Sequence, residues 1–152
     1  MDAIQFLKQE HQKAKAAFSK LLEAPPAQRA VLWKELQPEL KAHEEVEEAC
    51  LYDPIEKEGP SDAKLSEWTS TRHEEEVHKV EGLMKDIERL DPRAELWITT
   101  IHQIHTALEN HIQQEEGEIF PRIQQVWDQS KLATAGREMT EMKAQKQHRA
   151  AS

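Results

Sequence analysis

The stretch His43-Glu44-Glu45-Val46-Glu47-Glu48-Ala49-Cys50-Leu51-Tyr52-Asp53-Pro54 decides the fold, because residues 111–121 repeat it: His111-Ile112-Gln113-Gln114-Glu115-Glu116-Gly117-Glu118-Ile119-Phe120-Pro121. Both read His-x3-Glu-Glu-x2-Leu/Ile-Tyr/Phe, with a proline just beyond. A pattern used twice in one chain points to one structural unit used twice. Residues four apart lie one helical turn apart on the same face, so His43 reaches what Glu47 reaches, and His111 reaches what Glu115 reaches.

Working outward, each cassette lies at the end of a helical pattern. Leu32, Leu36, Leu40, His43, Glu47 and Cys50 align on one side of a segment starting near Gln28, with Pro38 expected to kink it. Asp53-Pro54 and Glu58-Gly59-Pro60 are expected to end that helix. The second cassette closes a helix carrying Leu96, Trp97, Ile101, Ile104 and Leu108, expected to start with Asp91 as N-cap and Pro92 at its first position, and to end near Phe120-Pro121. Before the first cassette, Ile4, Leu7, His11, Ala14, Phe18 and Leu22 recur at steps of three and four behind Asp2 as N-cap, and Ala24-Pro25-Pro26 stops the run. Between the cassettes, Ser61-Asp62 opens a helix whose apolar stripe is Val77, Val80, Met84 and Ile87.

Four long helices with short connections, and no stretch alternating with period two, predict an all-α, up-down-up-down antiparallel four-helix bundle over residues 1–125. Residues 126–152 are expected to form a short C-terminal helical extension, carried by Leu132, Met139 and Met142 and fraying over 145–151. At 152 residues the chain suits one domain. Trp33, Trp68, Trp97 and Trp127 read as core and cap packing.

Composition narrows the partners. A formal net charge of -9 argues against a nucleic-acid backbone and against an anionic membrane surface. With Cys50 alone no internal disulfide is possible, and no run reaches signal-peptide or transmembrane length, so a cytoplasmic protein is expected. Cys50 reads as a buried, inert thiol.

The chemistry lies where polar residues fall on apolar stripes. His11 sits between Leu7 and Ala14, and both His-x3-Glu pairs face the expected core. Burying Glu47 and Glu115 unpaired would cost several kcal/mol, so positive charge must lie between them, and a metal supplies it. Imidazole with carboxylate suits iron, manganese or zinc, and a carboxylate can bridge two ions. On the third helix, at about 100° per residue, His73 falls about 20° from Val80 and faces the core, whereas His78 falls about 160° away and faces out. His73 is therefore the expected ligand, with Glu76 flanking the stripe as a further carboxylate. His78, His102, His105 and His148 read as surface residues, and Tyr52 and Phe120 as closing the ends of the pocket.

Across roughly residues 1–125 the chain resembles the hemerythrin-like (HHE cation-binding) family, whose pattern is a histidine, His-x3-Glu, one or two histidines, then His-x3-Glu or Asp on four successive helices. The resemblance implies two non-haem iron ions, oxo- or hydroxo-bridged, held by His11, His43, Glu47, His73, His111 and Glu115, with both glutamates bridging. The third helix departs from the pattern. Hemerythrins read His-x3-His there and this chain reads His73-x3-Val77, whereas many bacterial relatives place a histidine where Val77 stands, sometimes with a second aligned with His78.

The resemblance further implies an open position for dioxygen or another small diatomic. That makes sensing, storage or delivery the first functional expectation. An enzyme or repair factor acting on peroxide or nitric oxide, or donating iron, is the second, and an iron-responsive regulatory module acting through a separate protein partner the third. Binding is preferred over catalysis because the expected lining is mostly Leu, Ile and Val, with Tyr52 the nearby hydroxyl.

Overall fold

The computed structural model describes residues 1–151, which form five helices and no strand. Helix α1 is Ala3–Glu23, capped as expected: the Asp2 carboxylate accepts the Gln5 N–H while the Gln5 side chain accepts the Asp2 N–H. Ala24 and Pro25 separate it from α2 (26–58), where Pro26 sits in the first turn and its missing N–H is not needed. The chain runs helically through Pro38 and turns only at Gly59, which takes the left-handed φ of 65°. Helix α3 (63–88) starts on Asp62, whose carboxylate accepts the Leu65 N–H and is clamped by Arg122 at 2.7 Å. Helix α4 covers 95–126, and α5 is Gln129–Ala151.

Two expected stops are overturned. The second helix does not end at Asp53-Pro54, nor the fourth at Phe120-Pro121; each continues through one wide π turn, Glu48–Tyr52 and Glu115–Ile119. The cause is local. Proline inside a helix lacks a donor and its ring crowds the carbonyl four residues back, and widening the turn relieves both. The i→i+5 bonds from Asp53 to Glu48 and from Phe120 to Glu115 mark the change. A third π turn, Trp68–Arg72, lies in α3 just before His73.

The widened turns redirect side chains. On a regular helix a residue five places on lies about 140° away, which would turn Tyr52 and Phe120 outward from Glu47 and Glu115. The extra residue per turn brings both rings back inside, fully buried.

The start of α4 is also corrected. Ala94, not Asp91, precedes its first turn, and the Asp91 carboxylate instead accepts the Arg93 N–H in the preceding loop. Leu96, assigned to the apolar stripe, is exposed.

Helices α1 to α4 make the bundle, and α5 packs along α1 and α2. It is a 23-residue helix running to Ala151 through the residues expected to fray; Ser152 lies outside the described residues. Leu132, Ala135 and Met139 join Ala3, Ile4 and Leu7 in the core. The approach is close enough that a Cβ on Gly136 would stand 2.8 Å from the Asp2 carbonyl carbon.

The core is in two pieces. One gathers Leu7, Val46, Leu51, Tyr52, Trp68, Ile119 and Phe120; the other Phe18, Leu36, Leu40, Val80, Met84, Ile101 and Ile104. Between them lies a polar layer at the level of the cassettes. All four tryptophans are buried in these clusters, as expected. No helix among the described residues is long and apolar enough to cross a membrane.

Candidate metal centre

The polar layer is built from His11 of α1, His43, Glu44 and Glu47 of α2, His73 of α3, and His111 and Glu115 of α4. Glu47 and Glu115 are fully buried, and His11, His73 and His111 nearly so. His43 is slightly more open. The six residues singled out by spacing therefore converge. His73 is 2% exposed and His78 65%, in line with the helical register. His102 and His148 are exposed, whereas His105, read as a surface residue, is half-buried with its ring 5.0 Å from Phe18.

The four imidazoles fall into two pairs. His11 and His43 have ring centroids 5.1 Å apart, and His73 and His111 5.3 Å apart. Every Nε2 points inward: His11 to Glu115 at 3.4 Å, His43 to Glu47 at 3.6 Å, His73 to Glu47 at 3.1 Å and His111 to Glu115 at 3.2 Å. Every Nδ1 faces an outer carboxylate: His11 donates to Glu116 at 2.6 Å, while His43 lies 3.9 Å from Glu10, His73 3.9 Å from Glu48 and His111 3.8 Å from Glu76. Of these four, only Glu76 had been considered from spacing. Such partners fix the ring's tautomer and orientation and leave Nε2 free as a ligand.

The arrangement has a pseudo-two-fold logic. Glu48, from the first cassette, faces His73, and Glu116, from the second, holds His11. Tyr52 stands edge-on to His73 at 4.6 Å, and Phe120 stacks on His11 at 6.0 Å. The two aromatics close the ends of the site as expected, but only Tyr52 has a hydroxyl, which donates to Glu115 Oε2 at 2.5 Å. Trp68 covers His111 at 5.4 Å.

Helix α5 supports the site from outside. Lys143 is buried in ion pairs with Glu10 and, at 3.0 Å, with Glu39, so it anchors the carboxylate beside His43. Burial works against the Glu10 anion, but the neighbouring His43 imidazole and Lys143 ammonium outweigh it and hold the carboxyl at about 2. Cys50 is buried against Met142 of the same helix, its Sγ 3.9 Å from the thioether, and burial pushes the thiol up. That suits the inert reading.

Of the seven buried side-chain atoms without a hydrogen-bond partner among the described residues, four belong to the expected ligands: His11 Nε2, His111 Nε2, Glu47 Oε2 and Glu115 Oε1. All are aimed into the layer. Leaving them unmade would cost about 1–3 kcal/mol each, and a cation between them satisfies all four. Burial disfavours the charged imidazoles, yet the surrounding carboxylates overcome this. Glu44 and Glu47 hold His73 at about 10, and His11, His43 and His111 are also raised, by Glu115, by Glu10 with Glu47, and by Glu115 with Glu47 respectively. In the metal-free chain, protons supply the positive charge that the carboxylates demand.

A pH dependence follows. Metal requires neutral imidazoles, so loading must expel protons that these raised values retain near neutrality. Affinity is expected to rise with pH through neutrality towards about 10, the His73 value, and to fall on acidification. Calorimetric titration with a divalent ion in two buffers of different ionisation enthalpy should show net proton release. Identical heats and a pH-independent affinity would contradict this.

A cavity of about 690 Å³ leads to the layer from the far half of the bundle, between Ala14, Leu40, Val77 and Val80. His11, His43, Glu44 and His111 stand at its inner end.

The family model for the hemerythrin HHE cation binding domain matches residues 2–123. No curated protein sequence matches. Among solved structures, a hemerythrin HHE cation binding domain-containing protein from Mycobacterium kansasii aligns with a TM-score of 0.84 at 23% identity, covering 99% of this chain and 90% of that one. At that identity the likeness is one of fold.

Proposed function

The chain belongs to the hemerythrin HHE cation-binding family, and from that premise we propose that it holds two non-haem iron ions and binds dioxygen or another small diatomic there. The observation that carries the reading is that the donors form two groups sharing Glu47. His11, His43, Glu47 and Glu115 make one, and His73, His111 and Glu47 with Glu44 make the other, the donor atoms of each lying within 4.8 Å of one another. His11 and His43 would hold one ion, His73 and His111 the other, with Glu47 and Glu115 between them.

Mixed imidazole and carboxylate donors suit iron. Bound there, a reduced iron pair supplies electrons to a diatomic ligand. The chain's part is to orient the donors through the outer carboxylates. The cavity brings an apolar wall of Ala14, Leu40 and Val80 beside the site, with Lys and Glu side chains also lining it. Tyr52 keeps one oxygen of Glu115 hydrogen-bonded, and so fixes that carboxylate's orientation.

A second reading, turnover of peroxide or nitric oxide, is favoured by the same Tyr52 hydroxyl, a hydrogen-bond donor within the layer. The lone buried thiol supports a cytoplasmic setting, and the net charge of -9 supports a protein that engages neither nucleic acid nor anionic membrane.

Spectra recorded on iron-loaded protein under argon and then air test the reading. A charge-transfer band that appears with oxygen and fades on its removal is expected. Absence of any band would overturn oxygen binding, and irreversible bleaching with peroxide consumption would establish the second reading.

A further inference from the structure

The two cassettes share the histidine, the paired glutamates and the aliphatic and aromatic residues that follow, and among the positions where they differ is the residue after the histidine, Glu44 in the first and Ile112 in the second. Ile112 packs in the bundle as a buried apolar residue. Glu44 instead turns its carboxylate into the polar layer. Its Oε2 lies 3.1 Å from His73 Nε2, and its Oε1 3.7 Å from His111 Nε2. These are the inward nitrogens of one histidine pair, and the Glu47 carboxylate lies 3.1 and 3.9 Å from the same two atoms. His111 Nε2 is among the buried atoms left without a partner, so the group has a donor to spare.

Glu44 is the most open member, with its side chain 21% exposed, and it lines the inner end of the cavity together with Val77. The third helix offers no donor one turn beyond His73, because Val77 stands there. On the His73 side, then, a carboxylate reaches across from α2 to a position that α3 leaves apolar.

We propose that Glu44 is itself a ligand, completing the ion held by His73 and His111 and making the two ion sites unequal. The proposal rests on the two-ion reading above. The spread of the four donor atoms is close to what one ion requires, since iron-sized ions bind oxygen and nitrogen at about 2.0–2.2 Å and opposed ligands then stand about 4 Å apart. The first ion would be held by His11 and His43 with the two shared carboxylates. The second would have an unshared carboxylate as well, and a third negative oxygen favours a harder, more oxidised ion there. The cavity reaches both groups, through His11 and His43 on one side and Glu44 and His111 on the other, so only the second ion would meet it through an unshared carboxylate.

The test is an anaerobic titration of the full chain with ferrous iron, counting ions per chain and fitting each step, with circular dichroism to confirm the fold. Wild type should bind two. In Glu44→Ala the step assigned to His11 and His43 should stay unchanged, while the other weakens by more than about 100-fold, beyond what loss of an outer hydrogen-bonding partner costs. Glu44→Gln keeps a neutral oxygen and should fall between. Glu81→Ala removes an acidic side chain from the same cavity without touching the layer, and should bind as wild type. Two wild-type-like steps in Glu44→Ala, or an equal loss in Glu81→Ala, would overturn the role of Glu44 and leave the two-ion reading intact. Fewer than two ions in wild type would overturn both.

Discussion

Glu47→Ala is expected to empty the centre of both ions, while changes at any single histidine remove one. Glu47 is common to the two donor groups and fully buried, with His43, His73 and His111 all directing Nε2 at its oxygens. Burial opposes its charge, but those three imidazoles hold the carboxyl well below the usual range. Without it the two groups lose the one carboxylate they share, leaving Glu115 on one side and Glu44 on the other. Affinity for both ions should fall by more than about 100-fold, above the loss typical of an outer partner. Metal analysis after anaerobic reconstitution and desalting is the readout, with His11→Ala alongside as the single-ion control. Retention of one tightly held ion in Glu47→Ala would mean that Glu47 serves one site only.

His73→Ala is expected to reduce the count from two ions to one, whereas His78→Ala keeps two with unchanged affinity. The two residues differ by less than one and a half turns, yet one ring is enclosed and the other stands in solvent 3.8 Å from Glu74. His73 lies 3.1 Å from Glu47 and is backed by Tyr52 and Glu48, so its alanine variant removes a donor already oriented for binding. The contrast is measured by parallel metal analysis and thermal melts of loaded protein, since metal bound only to the folded state stabilises it. The reverse pattern would show that α3 presents its other face to the bundle when loaded.

Much of the centre was legible because a helix converts spacing into position. His43 with Glu47, His111 with Glu115, and the choice of His73 over His78 all rest on periodicity alone. Periodicity fails where the period changes. Pro54 and Pro121 read as stops, but the helices absorb them through wide turns, and those turns bring Tyr52 and Phe120 inside. Glu44 escaped notice for a related reason. At about 100° from His43 it counts as a flanking position, and only the reach of its side chain returns the carboxylate to the layer. Glu10, Glu48 and Glu116 were hidden because each serves a histidine on another helix, a pairing that tertiary packing alone creates. One signal was present, namely Glu48 and Glu116 at the same place in both cassettes. The length of α5 was missed because its apolar residues, Leu132, Ala135 and Met139, are few and sparse. Packing on α1 and α2, with Lys143 fixed by Glu10 and Glu39, supplies what its sequence pattern lacks.

Anomalous diffraction at the iron absorption edge, from crystals of the iron-loaded protein, tests the central claim most directly. Two peaks are predicted, one beside His11 and His43 and one beside His73 and His111, with Glu47 between them. A single peak, or iron bound away from Glu47, would contradict the account.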